Sequence, residues 1–151
     1  MALERGRNLF KNLSEPLVAR LEGVNPATLT WLTLPTGLAA AWLMMEAGSG
    51  TDGALMFLGA AILMASAMAL DGLDGNLARS TGQVTRWGDY LDHTFDRLLD
   101  AVWIICIAGS IFVDDLVLGL SAAWLTLLGS YMGTQAQAVA GTRNYRGFSR
   151  A

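Results

Sequence analysis

The sequence predicts an all-α integral membrane protein, a bundle of helices that contain few charged residues. Of its 151 residues, 53% are hydrophobic and only 15% are charged, and the mean hydropathy is +0.40. Soluble domains contain about 25% charged residues. Four stretches carry no charge at all, whereas the helices of a soluble bundle need a polar face. We therefore interpret residues 1–151 as a single membrane-embedded domain.

Four uncharged stretches are predicted to span the bilayer: residues 27–45, 54–70, 101–113 and 116–140. A membrane-spanning helix needs about 20 residues. The third stretch is shorter, so its helix is expected to begin near Arg86. Residues 1–24 instead mix charges with apolar residues at helical spacing, which predicts an amphipathic helix on the membrane surface. Ala61, Ala65 and Ala69 would allow close helix packing, although alanine also serves as plain helix filler.

The distribution of basic residues predicts how the chain crosses the membrane. Four of the ten Lys and Arg residues precede residue 25, three lie in 79–97 and three in 143–150. The segments 46–53 and 114–115 carry only acidic charges. By the positive-inside rule, both chain ends and the segment between the second and third stretches face the cytoplasm. The sequence thus predicts a multi-pass protein of the cell membrane.

The charge and cysteine content exclude several classes of function. A net charge of −3 and a pI of about 4.9 argue against a nucleic-acid partner. A single cysteine excludes a disulfide framework and a cysteine-based zinc site. The acidic residues are concentrated, however, because five Asp and no Glu lie within residues 71–96.

These aspartates fall on two helix faces that can oppose one another. Residues spaced at i, i+3, i+4 and i+7 share one face of a helix. One such face carries Asp71, Asp74, Gly75 and Ala78. The next helix presents Gly88, Asp92 and Asp96. A turn near Thr81 and Gly82 would bring the second helix back against the first.

The arrangement indicates a site for hard cations and a phosphorylated ligand. Carboxylates that lie close together near hydrocarbon need a cation to compensate their charge. A site of oxygen ligands without His or Cys suits Mg²⁺, Mn²⁺ or Ca²⁺, and four carboxylates can hold two ions about 4 Å apart. Arg79 can form a bidentate contact with a phosphate, and the small residues leave room for the ligand. Together they suggest a pyrophosphate substrate.

The segment resembles the signature of the CDP-alcohol phosphotransferase family of membrane enzymes. That signature reads D-x2-D-G-x2-A-R, then about eight residues, then G-x3-D-x3-D. Its eight fixed positions are Asp71, Asp74, Gly75, Ala78, Arg79, Gly88, Asp92 and Asp96. The resemblance extends to the surface helix, the four spans and Ser130-Tyr131. The Lys-poor, acidic composition resembles archaeal members, which implies a CDP-archaeol donor.

The resemblance implies a reaction in which an acceptor hydroxyl attacks the β-phosphate of a CDP-linked lipid and CMP leaves. It implies two Mg²⁺ or Mn²⁺ ions held by Asp71, Asp74, Asp92 and Asp96, with Asp96 as the general base. It implies a nucleotide site formed by Thr30, Asp74, Gly75, Ala78, Arg79 and Gly88. A cytoplasmic basic group, formed by Arg143, Arg146 and Arg150, could bind a phosphorylated acceptor or could simply anchor the topology. We also expect a homodimer.

The acceptor remains open at this stage. A phosphorylated polyol, either glycerol phosphate or inositol phosphate, is the first hypothesis, and an amino alcohol such as serine is the alternative. Outside enzymes, the same carboxylates could belong to a divalent-cation carrier, or the chain could be a catalytically silent assembly subunit. Family members usually have six spans and this chain has four, so we expect a domain truncated after the fourth.

Overall fold

The computed structural model of the protein describes residues 15–21 and 23–140. Four long helices follow one another: α1 (Pro26–Glu46), α2 (Thr51–Ser80), α3 (Arg86–Gly109) and α4 (Leu116–Ala140). Residues 15–20 are also helical, and these described parts contain no strand. The predicted all-α bundle is confirmed, and the third long helix begins at Arg86, as the sequence predicted.

Three of the four long helices are long and apolar enough to cross a membrane, namely α1, α2 and residues Leu116–Val139. The composition of α3 differs because its first four turns carry the charged residues of the signature. Its 24 residues would still extend about 36 Å, against about 30 Å for a bilayer core. Large apolar side chains cover the outside, including Trp42, Leu55 and Val117. Such a surface suits lipid rather than water.

Side chains at the helix starts explain where the helices begin. The Oδ1 atom of Asn25 accepts a hydrogen bond from the backbone N–H of Ala27 at 3.0 Å, and Pro26 occupies the first turn of α1. The Oγ1 atom of Thr85 accepts from the N–H of Gly88 at 3.0 Å. Both contacts satisfy backbone donors that a helix start leaves free. The two caps lie beside the cavity described below.

The turn between α2 and α3 depends on Gly82, whose φ is +68°. The N–H of Gln83 donates to the carbonyl of Ala78 at 2.9 Å, and the N–H of Thr81 donates to that of Leu77 at 3.0 Å. A glycine in this left-handed conformation commonly ends a helix and lets the chain reverse. The predicted turn near Thr81 and Gly82 is confirmed.

Helix α1 packs against both α2 and α3, and α3 also packs against α4, whereas α2 and α3 approach each other less closely. A Cβ atom at Gly37 would lie 2.6 Å from Cδ2 of Leu99, so a larger residue here would force the side chain of Leu99 to shift. The indole N–H of Trp103 donates to the carbonyl of Gly37 at 2.8 Å. This close approach fixes α3 relative to α1.

The small residues that allow close packing of α2 are not those predicted. Ala60 and Ala67 are fully buried, whereas the predicted stripe of Ala61, Ala65 and Ala69 is exposed. The prediction that this stripe packs against another helix of the chain is therefore wrong. The stripe is rotated away because the face with Ala67 is the one that packs in the core with Ala41 of α1.

The predicted surface helix is described only in part. Residues 15–20 are helical, and Val18 packs in a buried cluster with Leu29 of α1 and Leu77 of α2. The remaining residues of the prediction before 15 lie outside the described part of the chain. Helix α1 continues through Pro35.

Candidate active site

Three of the four predicted carboxylates form one compact group. Asp71 and Asp74 extend from α2 and Asp92 from α3, and one carboxylate oxygen of each lies within 4.8 Å of the others. Asp74 is buried, with 4% of its surface exposed, whereas the other two are half-buried. The predicted meeting of the two helix faces is therefore present. Asp96 lies one turn beyond Asp92 and outside this compact group.

Helix α1 supplies the partner of the most buried carboxylate. The hydroxyl of Thr30 donates a hydrogen bond to Oδ2 of Asp74 at 2.5 Å, and Thr30 itself is 5% exposed. A buried carboxylate is costly unless it is hydrogen-bonded or paired with a charge. The hydrogen bond from Thr30 partly offsets the cost of burying the carboxylate of Asp74 and fixes the orientation of that carboxylate.

The carboxylate group fits a divalent cation. Mg²⁺ binds oxygen at about 2.0–2.1 Å and Ca²⁺ at about 2.3–2.6 Å, so two oxygens on opposite sides of one ion lie about 4–5 Å apart. The spacing of Asp71, Asp74 and Asp92 lies within that limit. The ligands are all oxygen, as Mg²⁺, Mn²⁺ and Ca²⁺ prefer. These three residues could therefore share an ion without rearrangement of the helices.

A cavity of about 540 Å³ opens on one side of the carboxylates. This volume lies in the range of small-ligand sites, about 300–1,000 Å³. All six residues predicted to bind the nucleotide line it: Thr30, Asp74, Gly75, Ala78, Arg79 and Gly88. Residues of α1, α2, α3 and the turn before α3 thus meet around one space. Asp92 also lines it and links the cavity to the carboxylate group.

Two glycines shape the wall of this cavity. A Cβ atom at Gly75 would lie 3.3 Å from both terminal nitrogens of Arg79, so the guanidinium lies against the bare backbone of α2. Arg79 also donates to Oδ1 of Asn76 at 2.8 Å. A Cβ atom at Gly88 would lie 3.1 Å from Oγ1 of Thr85, which caps α3. Both glycines therefore sit where a larger residue would crowd a neighbouring polar group.

The cavity has further wall residues that the sequence analysis did not assign to it. Among them are Asn25, Gln83, Thr85 and Trp87. Trp87 directly precedes Gly88, and its ring stacks on that of Tyr90 with centroids 5.4 Å apart. The caps of α1 and α3 were sequence signals that could have placed Asn25 and Thr85 here, since each lies at the start of a helix that brings a signature residue.

A second, smaller cavity of about 170 Å³ lies on the other side of the carboxylates. Asp71 and Asp96 line it together with Arg97, Asp100 and Trp103. The carboxylates thus separate two spaces, one reached by Asp74 and Asp92 and the other by Asp71 and Asp96. The three arginines predicted to bind the acceptor, at positions 143, 146 and 150, lie outside the described residues.

The fold and the site define a helical membrane protein with a carboxylate cluster between two cavities. Residues 24–144 match the family model described as CDP-alcohol phosphatidyltransferase. The chain belongs to this family, and the resemblance seen in the signature is confirmed.

Known relatives agree with this assignment. An archaetidylinositol phosphate synthase from Pyrococcus horikoshii is 46% identical over 74 residues, which are 48% of this chain and 36% of that protein. An archaetidylinositol phosphate synthase from Methanothermobacter thermautotrophicus is 33% identical over 91% of this chain and 65% of its own length. Inner membrane protein YnbA of Escherichia coli is 31% identical over 97% of this chain and 72% of its own length.

The matches cover the relatives only in part. The chain spans between about a third and two thirds of the two archaetidylinositol phosphate synthases. No solved structure matches it significantly.

Proposed function

We propose that the site transfers a phosphatidyl- or archaetidyl-type group from a CDP-linked lipid to the hydroxyl of a polar acceptor, with release of CMP. The oxygen of the acceptor forms a bond to the β-phosphorus of the donor, and the bond from that phosphorus to the oxygen of CMP breaks. The proton of the acceptor hydroxyl passes to a base of the protein. This is the chemistry expected of a CDP-alcohol phosphotransferase.

One observation carries the proposal. The six residues expected to bind the nucleotide come from three helices, and all of them line the larger cavity. The carboxylates of Asp74 and Asp92 form part of its wall, so a diphosphate in the cavity would lie beside the proposed cation ligands. A carrier of bare cations has no need of Arg79 or of this volume at the same place.

We propose that two divalent ions, Mg²⁺ or Mn²⁺, are held by Asp71, Asp74, Asp92 and Asp96. Such ions polarise a phosphoryl group and neutralise the charge that develops on the leaving group. The compact spacing of the first three carboxylates supports the first ion. Asp96, one turn along α3 from Asp92, extends the ligand set toward the second cavity.

The remaining roles follow from position. Asp96 takes the proton of the acceptor hydroxyl, which requires its carboxylate to come within about 3 Å of that hydroxyl. Arg79 contacts the diphosphate, because its guanidinium lines the cavity and can form paired hydrogen bonds to phosphate oxygens. Gly75 and Ala78 leave the space into which the cytidine fits. Thr30 holds Asp74 in place.

The acceptor is a phosphorylated polyol, and we propose inositol phosphate ahead of glycerol phosphate. The support comes from relatives named archaetidylinositol phosphate synthase. The same names favour an archaeol-type donor. The arginines at 143, 146 and 150 are proposed, from the sequence alone, to contact the phosphate of the acceptor.

We further propose that the protein is a homodimer of the cell membrane with its site at the cytoplasmic face. The distribution of Lys and Arg supports this sidedness. Cross-linking in native membranes tests the dimer. Protease protection in oriented vesicles tests the sidedness.

The decisive experiment measures CMP release by the full-length protein in proteoliposomes. CDP-archaeol and CDP-diacylglycerol are each offered with inositol phosphate, glycerol phosphate or serine, with and without Mn²⁺. We expect metal-dependent CMP release with inositol phosphate, and loss of that release in Asp96→Asn. Asp114→Asn is the matched control, because Asp114 is exposed and lies between α3 and α4.

Each alternative has its own outcome. Release with serine alone would identify an amino-alcohol transferase. Mn²⁺ uptake into vesicles without CMP release would indicate a carrier, and neither result with any acceptor would indicate a silent subunit. Unchanged release in Asp96→Asn would show that Asp96 is not the base.

A further inference from the structure

Arg97 lies between two carboxylates of α3. Its Nη1 atom is 2.9 Å from Oδ2 of Asp100, and its Nη2 atom is 3.6 Å from Oδ2 of Asp96. Arg97 follows Asp96 directly and precedes Asp100 by three residues, so all three lie within about one turn of the helix. The shorter contact is a charge-assisted hydrogen bond and the longer one is an ion pair.

The side chains of this triad are between 38% and 43% exposed, so the ion pairs themselves add little stability, and what distinguishes them is their position. Exposed pairs contribute little to stability, with a median of about 0–1 kcal/mol. Here all three side chains line the second cavity, together with Asp71. Arg97 is also the one basic residue among the nine residues that line this cavity. Its guanidinium is therefore placed where the carboxylates of the proposed site meet an open space.

The two contacts restrict the carboxylate of Asp96. Its Oδ2 atom lies 3.6 Å from the guanidinium, an ion-pair distance that draws this oxygen toward Arg97. Asp100 holds the other side of the guanidinium at hydrogen-bond distance. The planar fork of arginine suits this bridging role, because it presents several N–H donors in a fixed geometry.

We propose that Arg97, anchored by Asp100, is a positioning residue that orients the carboxylate of Asp96 toward the acceptor hydroxyl. This inference rests on the proposed function, in which Asp96 accepts the proton of the acceptor. Arg97 does not touch the reacting atoms. It acts through Asp96.

The positive charge of Arg97 allows a positioning role to be distinguished from a purely structural one. Removal of a positive charge beside the carboxylates makes their surroundings more negative and favours cation binding. Loss of orientation, in contrast, lowers the rate of the chemical step. The first ion, held by Asp71, Asp74 and Asp92, should therefore bind at least as tightly, while kcat falls because Asp96 is misplaced. A residue needed only for folding would lower the affinity for that ion, kcat and thermal stability together.

The test compares Arg97→Gln, Arg97→Lys and Asp100→Asn in the full-length protein. Mn²⁺ affinity is measured by electron paramagnetic resonance without substrates, and kcat and KM are measured by CMP release. For Arg97→Gln we expect kcat to fall by about ten- to a hundredfold, the scale of a misplaced catalytic group. The first Mn²⁺ ion, at Asp71, Asp74 and Asp92, should bind as tightly as in the wild type or more tightly, and KM for the donor should stay close to its original value.

Arg97→Lys and Asp100→Asn are expected to lower kcat less than Arg97→Gln does. Arg97→Lys keeps the charge but loses the fork, so it should recover kcat only in part. Asp100→Asn loosens the anchor and should lie between the wild type and Arg97→Gln. Arg86→Gln is the matched control, since it removes a positive charge from the exposed start of the same helix and should leave kcat unchanged.

Failure of the positioning role can be distinguished from failure of the proposed function. If Asp96→Asn keeps CMP release, the assignment of the base fails. If Asp96→Asn is inactive but Arg97→Gln retains the kcat of Arg86→Gln, the positioning role alone is wrong. A joint loss of Mn²⁺ binding, kcat and thermal stability in Arg97→Gln would also overturn it. If that variant does not fold, Asp100→Asn decides, and an unchanged kcat there refutes the inference.

Discussion

The hydroxyl of Thr30 on α1 donates a hydrogen bond of 2.5 Å to Oδ2 of Asp74 on α2. Both side chains are buried, at 5% and 4% exposure. The contact joins the helix that packs against both of its neighbours to the most buried aspartate of the compact group. The hydrogen bond restrains the carboxylate of Asp74, whose oxygens can still bind a cation because each carries a second lone pair.

Thr30→Val removes this hydroxyl and keeps the shape of the side chain. We expect Mn²⁺ to bind about 10–100-fold more weakly, as is typical when a partner that orients a metal ligand is lost. Electron paramagnetic resonance titration of the purified protein measures the affinity directly. Thr30→Ser, which retains the donor, should bind Mn²⁺ close to the wild-type level.

Thr33→Val is the matched control for this prediction. Thr33 is buried to 4% exposure on the same helix, but its hydroxyl donates to the carbonyl of Leu29. If Thr33→Val weakens Mn²⁺ binding as much as Thr30→Val does, the effect comes from α1 as a whole. The hydrogen bond to Asp74 would then have no special role.

The sequence was sufficient to predict the two helix faces that carry the aspartates. Helical periodicity groups Asp71 with Asp74 and Asp92 with Asp96, and Gly82 marks the turn between them. The eight fixed positions identified the family. The place of Asp96, outside the compact group and against the second cavity, depends on the axial distance between α2 and α3. The spacing of residues along the sequence does not determine the distance between the two helices.

Packing of α2 was predicted less well, for a physical reason. Its apolar part contains alanines at 54, 60, 61, 65, 67 and 69, and no charged residue there distinguishes one face from another. Ala61, Ala65 and Ala69 form a regular stripe, yet the buried pair is Ala60 and Ala67. The choice is made by α1, whose small residues fit one face of α2. The partner of Arg97 likewise depends on side-chain conformation rather than on spacing.

Ala78→Leu tests whether the larger cavity holds the donor. The added side chain would enter the space between α2 and the start of α3, where Ala78 lines the wall. We expect KM for the CDP-linked lipid to rise by about 5–100-fold, since overpacking of a fitted site costs about 1–3 kcal/mol. Mn²⁺ affinity should be unchanged, because the carboxylates are not altered. CMP release and resonance titration measure the two quantities.

Ala65→Leu is its control on the same helix. Ala65 is exposed and is not among the residues lining either cavity. This variant should retain the KM of the wild type. Equal increases of KM in both variants would mean that a longer side chain disturbs α2 in general, and the cavity would lose its assignment as the donor site.

Gly37→Ala tests the approach of α3 to α1. Its Cβ atom would lie 2.6 Å from Cδ2 and 2.7 Å from Cδ1 of Leu99. We expect a loss of about 1–3 kcal/mol in stability from overpacking, seen as a lower midpoint of thermal unfolding in detergent. Since α3 carries Asp92 and Asp96, kcat should fall as well.

Two further variants show whether the contact with Leu99 is the cause. Gly129→Ala on α4 meets nothing within 4 Å and should not lower the midpoint. The double variant Gly37→Ala/Leu99→Ala should be more stable than the sum of the single effects predicts, because neighbouring residues couple. Strict additivity would show that Gly37 is needed for another reason.

Substitution of Trp87 tests whether its ring stacks on the base of the nucleotide. Its side chain is 62% exposed, lines the larger cavity and stacks on Tyr90 with an angle of 24° between the rings. An exposed tryptophan could instead anchor the protein at the membrane interface. An aromatic ring that stacks on a base contributes about 1–3 kcal/mol. We therefore expect Trp87→Ala to raise KM for the CDP-linked donor by about 5–100-fold, with little change in kcat.

Trp87→Phe and Trp124→Ala separate the two roles of this side chain. Phenylalanine keeps a face for stacking, so Trp87→Phe should retain most of the donor affinity. Trp124 is 68% exposed on α4 and lines neither cavity, so Trp124→Ala removes an exposed indole without touching the site. If both tryptophan-to-alanine variants raise KM equally, the indoles act at the membrane surface. If only Trp87→Ala does, and CMP itself protects Trp87 from oxidative modification, the ring contacts the nucleotide.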